Sequence, residues 1–311
     1  MGRWVLVWVA LVAPALARPP GTGVTVEVRV EHAAHTARGA PSAVVHAPPG
    51  FSAEGPLHLV VFLHGYMGCA RALMVAGEAP CREGGPPRQG WGLAGHHDAA
   101  GTNTLFVIPQ LALRRRDGDP GCFAREGCFA RFLGELLTGP LSALVGEGRG
   151  LDDVASITLV AHSAGYRTAL AILQRGGVEA QLRHVVLFDA LYGGAEGFAR
   201  WLRETPVADP RLVSVYLGDG KTRRGSRRLL RLLRRAPGIS TARADASGLA
   251  RAIASRSLVI ATGAAPHRRV PERHLAEVLA ALPGLPKRGA AGAPDAQPAG
   301  GRRDLRSTLS R

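Results

Sequence analysis

Ser156-Ile-Thr-Leu-Val-Ala-His-Ser-Ala-Gly-Tyr-Arg-Thr-Ala-Leu-Ala-Ile-Leu-Gln-Arg175 is the stretch that decides how this chain folds. Ser156 to Val160 is an apolar run short enough for a strand and continuous enough to be buried on both faces. From Tyr166 the apolar residues recur at helical spacing, and Gly176-Gly177 stops them after Arg175. Between strand and helix stands Ser163, flanked by small residues. A sharp strand-to-helix turn forces its central residue into a strained backbone region and crowds the residues two before and two after. Ala161 and Gly165 satisfy that demand. A second small-x-Ser-x-small match, Gly238-Ile-Ser240-Thr-Ala242, follows Arg-Arg-Ala-Pro and has no strand before it.

The same alternation extends to both sides. Val24 to Glu31, Ala43 to Ala47, His58 to Leu63 and Thr104 to Pro109 read as strands upstream, and Phe129 to Leu137 as a helix. Downstream, strands at Arg183 to Phe188, Arg211 to Leu217 and Ser257 to Ala261 alternate with helices. Those helices are Ala195 to Arg203, an Arg-rich segment and Pro271 to Ala281, with Pro near its first turn. Apolar strands alternating with helices predict an α/β class: a doubly wound, mostly parallel sheet covered on both faces. Two loop-rich inserts, Gly68 to Thr102 and Leu111 to Gly127, interrupt it.

The 311 residues are 46% hydrophobic, which excludes global disorder and allows a large core. Arg3, the apolar run Trp4 to Val12 and Ala15-Leu-Ala17 have the three parts of an export signal. Residues 1–17 are therefore expected to be a signal peptide, and a secreted or periplasmic location follows. The run is short for a membrane span, and Arg18, Pro19 and Pro20 break it. Cys69, Cys81, Cys122 and Cys128 form an even set without a zinc-type spacing, which in an exported chain means two disulfides. Three pairings are open. The local ones, Cys69–Cys81 and Cys122–Cys128, are favoured because each staples one loop.

The formal charge of +15 is almost all arginine, densest from Lys221 to Arg235. That run could meet an anionic envelope surface. The plainer reading is an amphipathic surface helix with Leu229, Leu230, Leu232 and Leu233 facing the core. No aromatic residues interleave to stack bases, so specific nucleic-acid binding is not expected. Residues 284–311, rich in Gly, Ala, Pro and Arg, read as a disordered basic tail, leaving 18–283 as one domain.

In such sheets ligands bind beyond the carboxyl ends of the strands, where Ser163 stands. The N–H of Ala164, opening the next helix, would face a developing oxyanion. A second donor should follow an earlier strand; in His64-Gly65-Tyr66-Met67-Gly68 the N–H of Tyr66 is the candidate, and His64 is read as fixing the loop. A serine nucleophile needs a base. His267 lies in the loop after the last strand, whereas His274 is inside the final helix and His184 begins its strand at the wrong edge. The histidine needs a carboxylate. Asp189 and Asp219 both end strands. Asp189 is favoured because a buried acid requires a partner, while Asp219, between glycines and beside Lys221, suits a solvated turn. His96-His97-Asp98 has metal-type residues, but adjacent histidines cannot easily share one ion, and no metal is expected.

With these residues in order, the chain resembles an α/β-hydrolase from about Val24 to Leu282. The likeness rests on His64-Gly65 after one strand, Ala161-His-Ser-Ala-Gly165 after another, a strand-end Asp and then His267. The order Ser, Asp, His is the one this fold uses; the family's usual placement of the acid, one strand later, would favour Asp219. Ala161 departs from the usual Gly. The resemblance implies a serine hydrolase of carboxylic esters acting on a small-molecule or polymer acyl substrate, with no cofactor. An amidase or peptidase of an envelope polymer, and a non-catalytic binding module, are the alternatives.

Overall fold

A segment apolar on both faces is stable only between two layers, and the buried runs of this sequence become neighbouring strands of one sheet. The computed structural model describes residues 23–113, 118–218, 220–263 and 265–289. The expected signal peptide, Asp219 and residues 290–311 lie outside the described residues. The strands are β1 (Val24–Val28), β2 (Ala43–Ala47), β3 (Leu57–Leu63), β4 (Ala79–Pro80), β5 (Pro87–Arg88), β6 (Leu105–Pro109), β7 (Val154–His162), β8 (Leu182–Phe188), β9 (Arg211–Tyr216), β10 (Thr241–Ala244) and β11 (Leu258–Thr262). The helices are α1 (Ala70–Met74), α2 (Leu93–Ala99), α3 (Cys128–Thr138), α4 (Ser142–Val145), α5 (Tyr166–Arg175), α6 (Ala195–Glu204), α7 (Lys221–Leu233), α8 (Leu249–Ser255) and α9 (Val270–Ala281).

Nine strands form one sheet in the order β1-β2-β6-β3-β7-β8-β9-β11-β10. Only β2 runs against its neighbours; the remaining pairings of this sheet are parallel. β4 and β5 form a separate antiparallel pair within the first insert. Alternation along β3 divides the core. Leu59, Val61 and Leu63 face the layer that contains Phe129, Phe132, Ile172, Phe198 and Leu229. Val60 and Phe62 face the other, with Leu73, Leu93, Ile253, Leu275 and Val278. Helices α3, α5, α6 and α7 thus cover one face, and α1, α2, α8 and α9 the other, as a doubly wound sheet requires.

Two expectations need correction, and one strand has no counterpart in the sequence reading. Leu232 of α7 is 36% exposed, while Leu229, Leu230 and Leu233 are buried, so the apolar stripe is narrower than the sequence implies. Edge strand β10 is polar and half-buried, and carries no apolar run that could announce it. Ser240 precedes that strand, at the opposite end from a strand-to-helix elbow. The segment 284–289, assigned to the tail, docks instead: Asn103 donates to Pro286 O at 2.7 Å and Arg288 to Gly101 O at 3.0 Å. Both local cysteine pairings are present, with Cα separations of 5.3 Å for Cys69–Cys81 and 5.9 Å for Cys122–Cys128. Among the described residues no helix is long and apolar enough to cross a membrane.

Candidate active site

Strand β7 runs to His162, and the chain turns at Ser163 with φ of +54°. A non-glycine residue in this region is strained, and it persists only where its surroundings hold it. One 3-10 turn, Ser163–Gly165, then leads into α5. The steric demand falls on Gly165: a Cβ there would lie 2.2 Å from the carbonyl oxygen of Leu63 on the adjacent strand. The crowding partner is therefore β3, and not Ala161 as the sequence pattern implies. Ala161 is fully buried in the sheet, in register with Leu63 and Leu187.

The loop after β3 lies against the serine. A Cβ on Gly65 would meet Ser163 Cβ at 2.6 Å and Ser163 Oγ at 3.1 Å, so only glycine lets this backbone approach so closely. Gly68 N–H donates to Gly65 O at 3.1 Å, closing a turn that contains Tyr66. His64 is buried beneath it. Its Nδ1–H donates to Gly65 O at 3.0 Å, and its Nε2 accepts the N–H of Leu111 at 3.0 Å. Burial lowers the His64 pKa to about 4, so the ring is neutral and ties two loops together. Ala164 is the second residue of the 3-10 turn, at the amino end of α5, where backbone N–H groups lack intrahelical partners.

His267 stands beyond the end of β11, in a short 3-10 turn before α9. Its Nε2 is 3.0 Å from Ser163 Oγ, and its Nδ1 is 2.6 Å from Asp189 Oδ2. Asp189 directly follows β8, with φ of +43°, and is buried. Its other oxygen accepts from Thr222 Oγ1 at 2.5 Å and from Leu217 N at 3.2 Å. Burial alone would raise the Asp189 pKa. The hydrogen bonds from His267, Thr222 and Leu217 outweigh it and hold the carboxyl below the usual range. His274 is buried within α9, and His184 Nε2 is 2.9 Å from Pro283 O at the opposite edge of the sheet.

Two further residues escape the sequence pattern. His162 is buried under His267, with ring centroids 4.7 Å apart, and its Nε2 is 3.0 Å from the His267 carbonyl oxygen. Burial, then the neighbouring His267, lower its pKa to about 3, so it is neutral and donates to that carbonyl. Tyr192 packs edge-on to the His267 ring at 6.4 Å and is 42% exposed. Its pKa is raised by burial and by the Asp189 charge, against a hydrogen bond with Ser163. The visible signal for Tyr192 is its place three residues past the strand-end acid.

These groups open onto a cleft of about 500 Å³. Met67, Leu73 and Trp91 supply its apolar lining, and Arg88 and Arg268 its charge. The Arg268 guanidinium lies over the Trp91 ring at 5.7 Å. The first insert forms this rim. The second does not, among the described residues; Gly118 instead packs on the Ala164 carbonyl, where a Cβ would approach to 2.2 Å.

The fold is that of the α/β-hydrolases. The feruloyl esterase module from Clostridium thermocellum, an S954A mutant complexed with sinapinate, superposes with a TM-score of 0.56 at 11% identity, over 90% of this chain and 96% of that one. A structure designated FAE gives 0.51 at 9% identity, over 88% and 93%. No family model and no curated protein sequence matches.

Proposed function

We propose that this chain is a serine hydrolase that cleaves carboxylic esters through an acyl-enzyme. One observation carries the reading: Ser163 Oγ, His267 and the buried Asp189 form a continuous hydrogen-bonded chain at the end of the parallel strands. His267 Nε2 removes the Ser163 proton as Oγ attacks the acyl carbon. Asp189 holds the Nδ1–H tautomer and stabilises the imidazolium. The amides of Tyr66 and Ala164 receive the oxyanion, a role supported by the close approach of Gly65 to the serine and by the helix start at Ala164. His267 then protonates the departing alcohol, and water, activated by the same imidazole, releases the acid. The apolar lining suits an apolar or aromatic acyl group, the class to which the sinapinate held by the structurally similar esterase module belongs. Two disulfides and the amino-terminal signal pattern support export to the periplasm or medium.

A fluorophosphonate probe tests the nucleophile on oxidised protein. Wild type should be labelled once, and Ser163→Ala not at all; equal labelling of both would overturn the assignment. Aliphatic and hydroxycinnamate esters assayed beside peptides then test the bond, since faster peptide cleavage would refute the ester reading.

A further inference from the structure

At the edge of the sheet opposite Ser163, a second cluster of functional groups has formed. Here β2 runs antiparallel to β6, with His46 opposite Phe106 near the start of β6. Helix α2 brings His97 and Asp98 onto His46; one donor atom from each of the three lies within 4.8 Å of the others. His96, its chain neighbour, turns outward to a surface groove with Ala265 and Glu272. The objection to two adjacent histidines sharing an ion therefore does not apply, because the second imidazole comes from another strand.

We propose that His46 Nε2, His97 Nδ1 and an Asp98 carboxylate oxygen bind one divalent transition-metal ion of the zinc class. The decisive observation is His97. It is fully buried, and its Nδ1 has no hydrogen-bond partner. A buried polar atom without a partner is costly and calls for an explanation. Its other nitrogen, Nε2, lies 2.7 Å from Thr104 Oγ1, and the ring stacks on Phe106 at 5.0 Å, so the orphan atom is held in a fixed direction. Donation from Nε2–H to Thr104, the outer hydrogen bond that metal-binding imidazoles commonly make, would leave the Nδ1 lone pair free for an ion.

His46 likewise has a threonine on its outer nitrogen. Its Nδ1 lies 2.8 Å from Thr25 Oγ1 on β1, and its Nε2 2.9 Å from Asp98 Oδ1. The buried His46 ring and the partly exposed Asp98 carboxylate already converge, and the exposed side of Asp98 is an entry path. Arg288 is the facing cation; its guanidinium donates to the backbone carbonyls of Asp98 and Pro49. Two imidazoles and one carboxylate suit zinc, with the fourth position left to water. The ion would clamp β2 to α2, beneath the docked segment 284–289, which makes it a structural staple remote from the ester chemistry.

The whole chain, made without a histidine tag and stripped with chelator, is titrated with zinc chloride by calorimetry and with cobalt(II) by visible absorption. One ion per chain and a tetrahedral cobalt band are expected. His97→Gln and His46→Gln should each weaken binding at least 100-fold, Asp98→Asn at least 10-fold, and Thr104→Val about 10- to 100-fold through the supporting hydrogen bond. Zinc should raise the unfolding temperature of wild type and leave that of His97→Gln unmoved, with Ser163 labelling unchanged by chelator. Should the buried variants fail to fold, Asp98→Asn carries the test, since its side chain is partly exposed. Glu135→Gln, in the other acid–histidine cluster with Glu31 and His32, should bind as wild type. Absence of stoichiometric binding at micromolar metal, wild-type affinity in the His97 and Asp98 variants, or loss of binding in Glu135→Gln would each overturn the proposal.

Discussion

Asp189→Asn changes one atom and should nearly abolish turnover, for a reason set by the surroundings of that carboxylate. Oδ1 already accepts two hydrogen bonds, from Thr222 Oγ1 at 2.5 Å and Leu217 N at 3.2 Å. An asparagine must leave its carbonyl oxygen there, because turning the amide over would set its NH₂ against two donors. Its NH₂ is then directed at His267 Nδ1, where the carboxylate now sits at 2.6 Å. Only the tautomer with a bare Nδ1 can accept that hydrogen bond. The proton moves to Nε2, which faces Ser163 Oγ at 3.0 Å and can no longer receive the serine proton. Loss of the correct tautomer in a triad costs about 10⁴ in kcat, or about 5.4 kcal/mol of transition-state stabilisation. The assay is steady-state hydrolysis of a chromogenic ester, with circular dichroism to confirm that the fold is kept. Asp219→Asn, made alongside, should retain wild-type kcat. An Asp189→Asn enzyme with more than a tenth of wild-type kcat, or an Asp219→Asn enzyme as damaged as Asp189→Asn is expected to be, would refute the assignment.

Gly65→Ala places a methyl group 2.6 Å from Ser163 Cβ, about 1 Å inside normal carbon contact. A displacement of that size at the reacting atoms should cost about 100-fold in kcat with little change in KM. His162→Phe keeps a ring against His267 but leaves the His267 carbonyl without its donor, at about 1–3 kcal/mol; stopped-flow acylation should slow by roughly 10-fold or more. Because His162 is neutral down to about pH 3, that loss should be the same across pH 6 to 9. Its depressed pKa also means that the unfolded chain binds more protons between about 3 and 6.5; stability is full above that window and falls on acidification, read as a decreasing unfolding temperature. Reduction of the disulfides should cost about 3 kcal/mol for the loop closed by Cys69–Cys81 and about 2 kcal/mol for the shorter Cys122–Cys128, measured by urea unfolding with and without reductant.

What could be read without coordinates was whatever is encoded within a few adjacent residues. The apolar run before Ser163 and the helical spacing after it specify a buried strand and a covering helix, because burial on two faces and on one face leave different periods in the chain. The same local logic placed Ser163, Asp189 and His267 at strand ends on one edge, and paired each cysteine with its near neighbour. It failed where the partner is distant. The need for glycine at 165 is set by the Leu63 carbonyl on another strand, and the need at 65 by Ser163 itself. The polar edge strand β10 has no apolar signature, and His162, Tyr192 and the meeting of His46 with His97 depend on segments that only the folded sheet brings together. Period and turn chemistry are properties of neighbours in the chain; contact between remote side chains is settled by packing, and packing exists only in three dimensions.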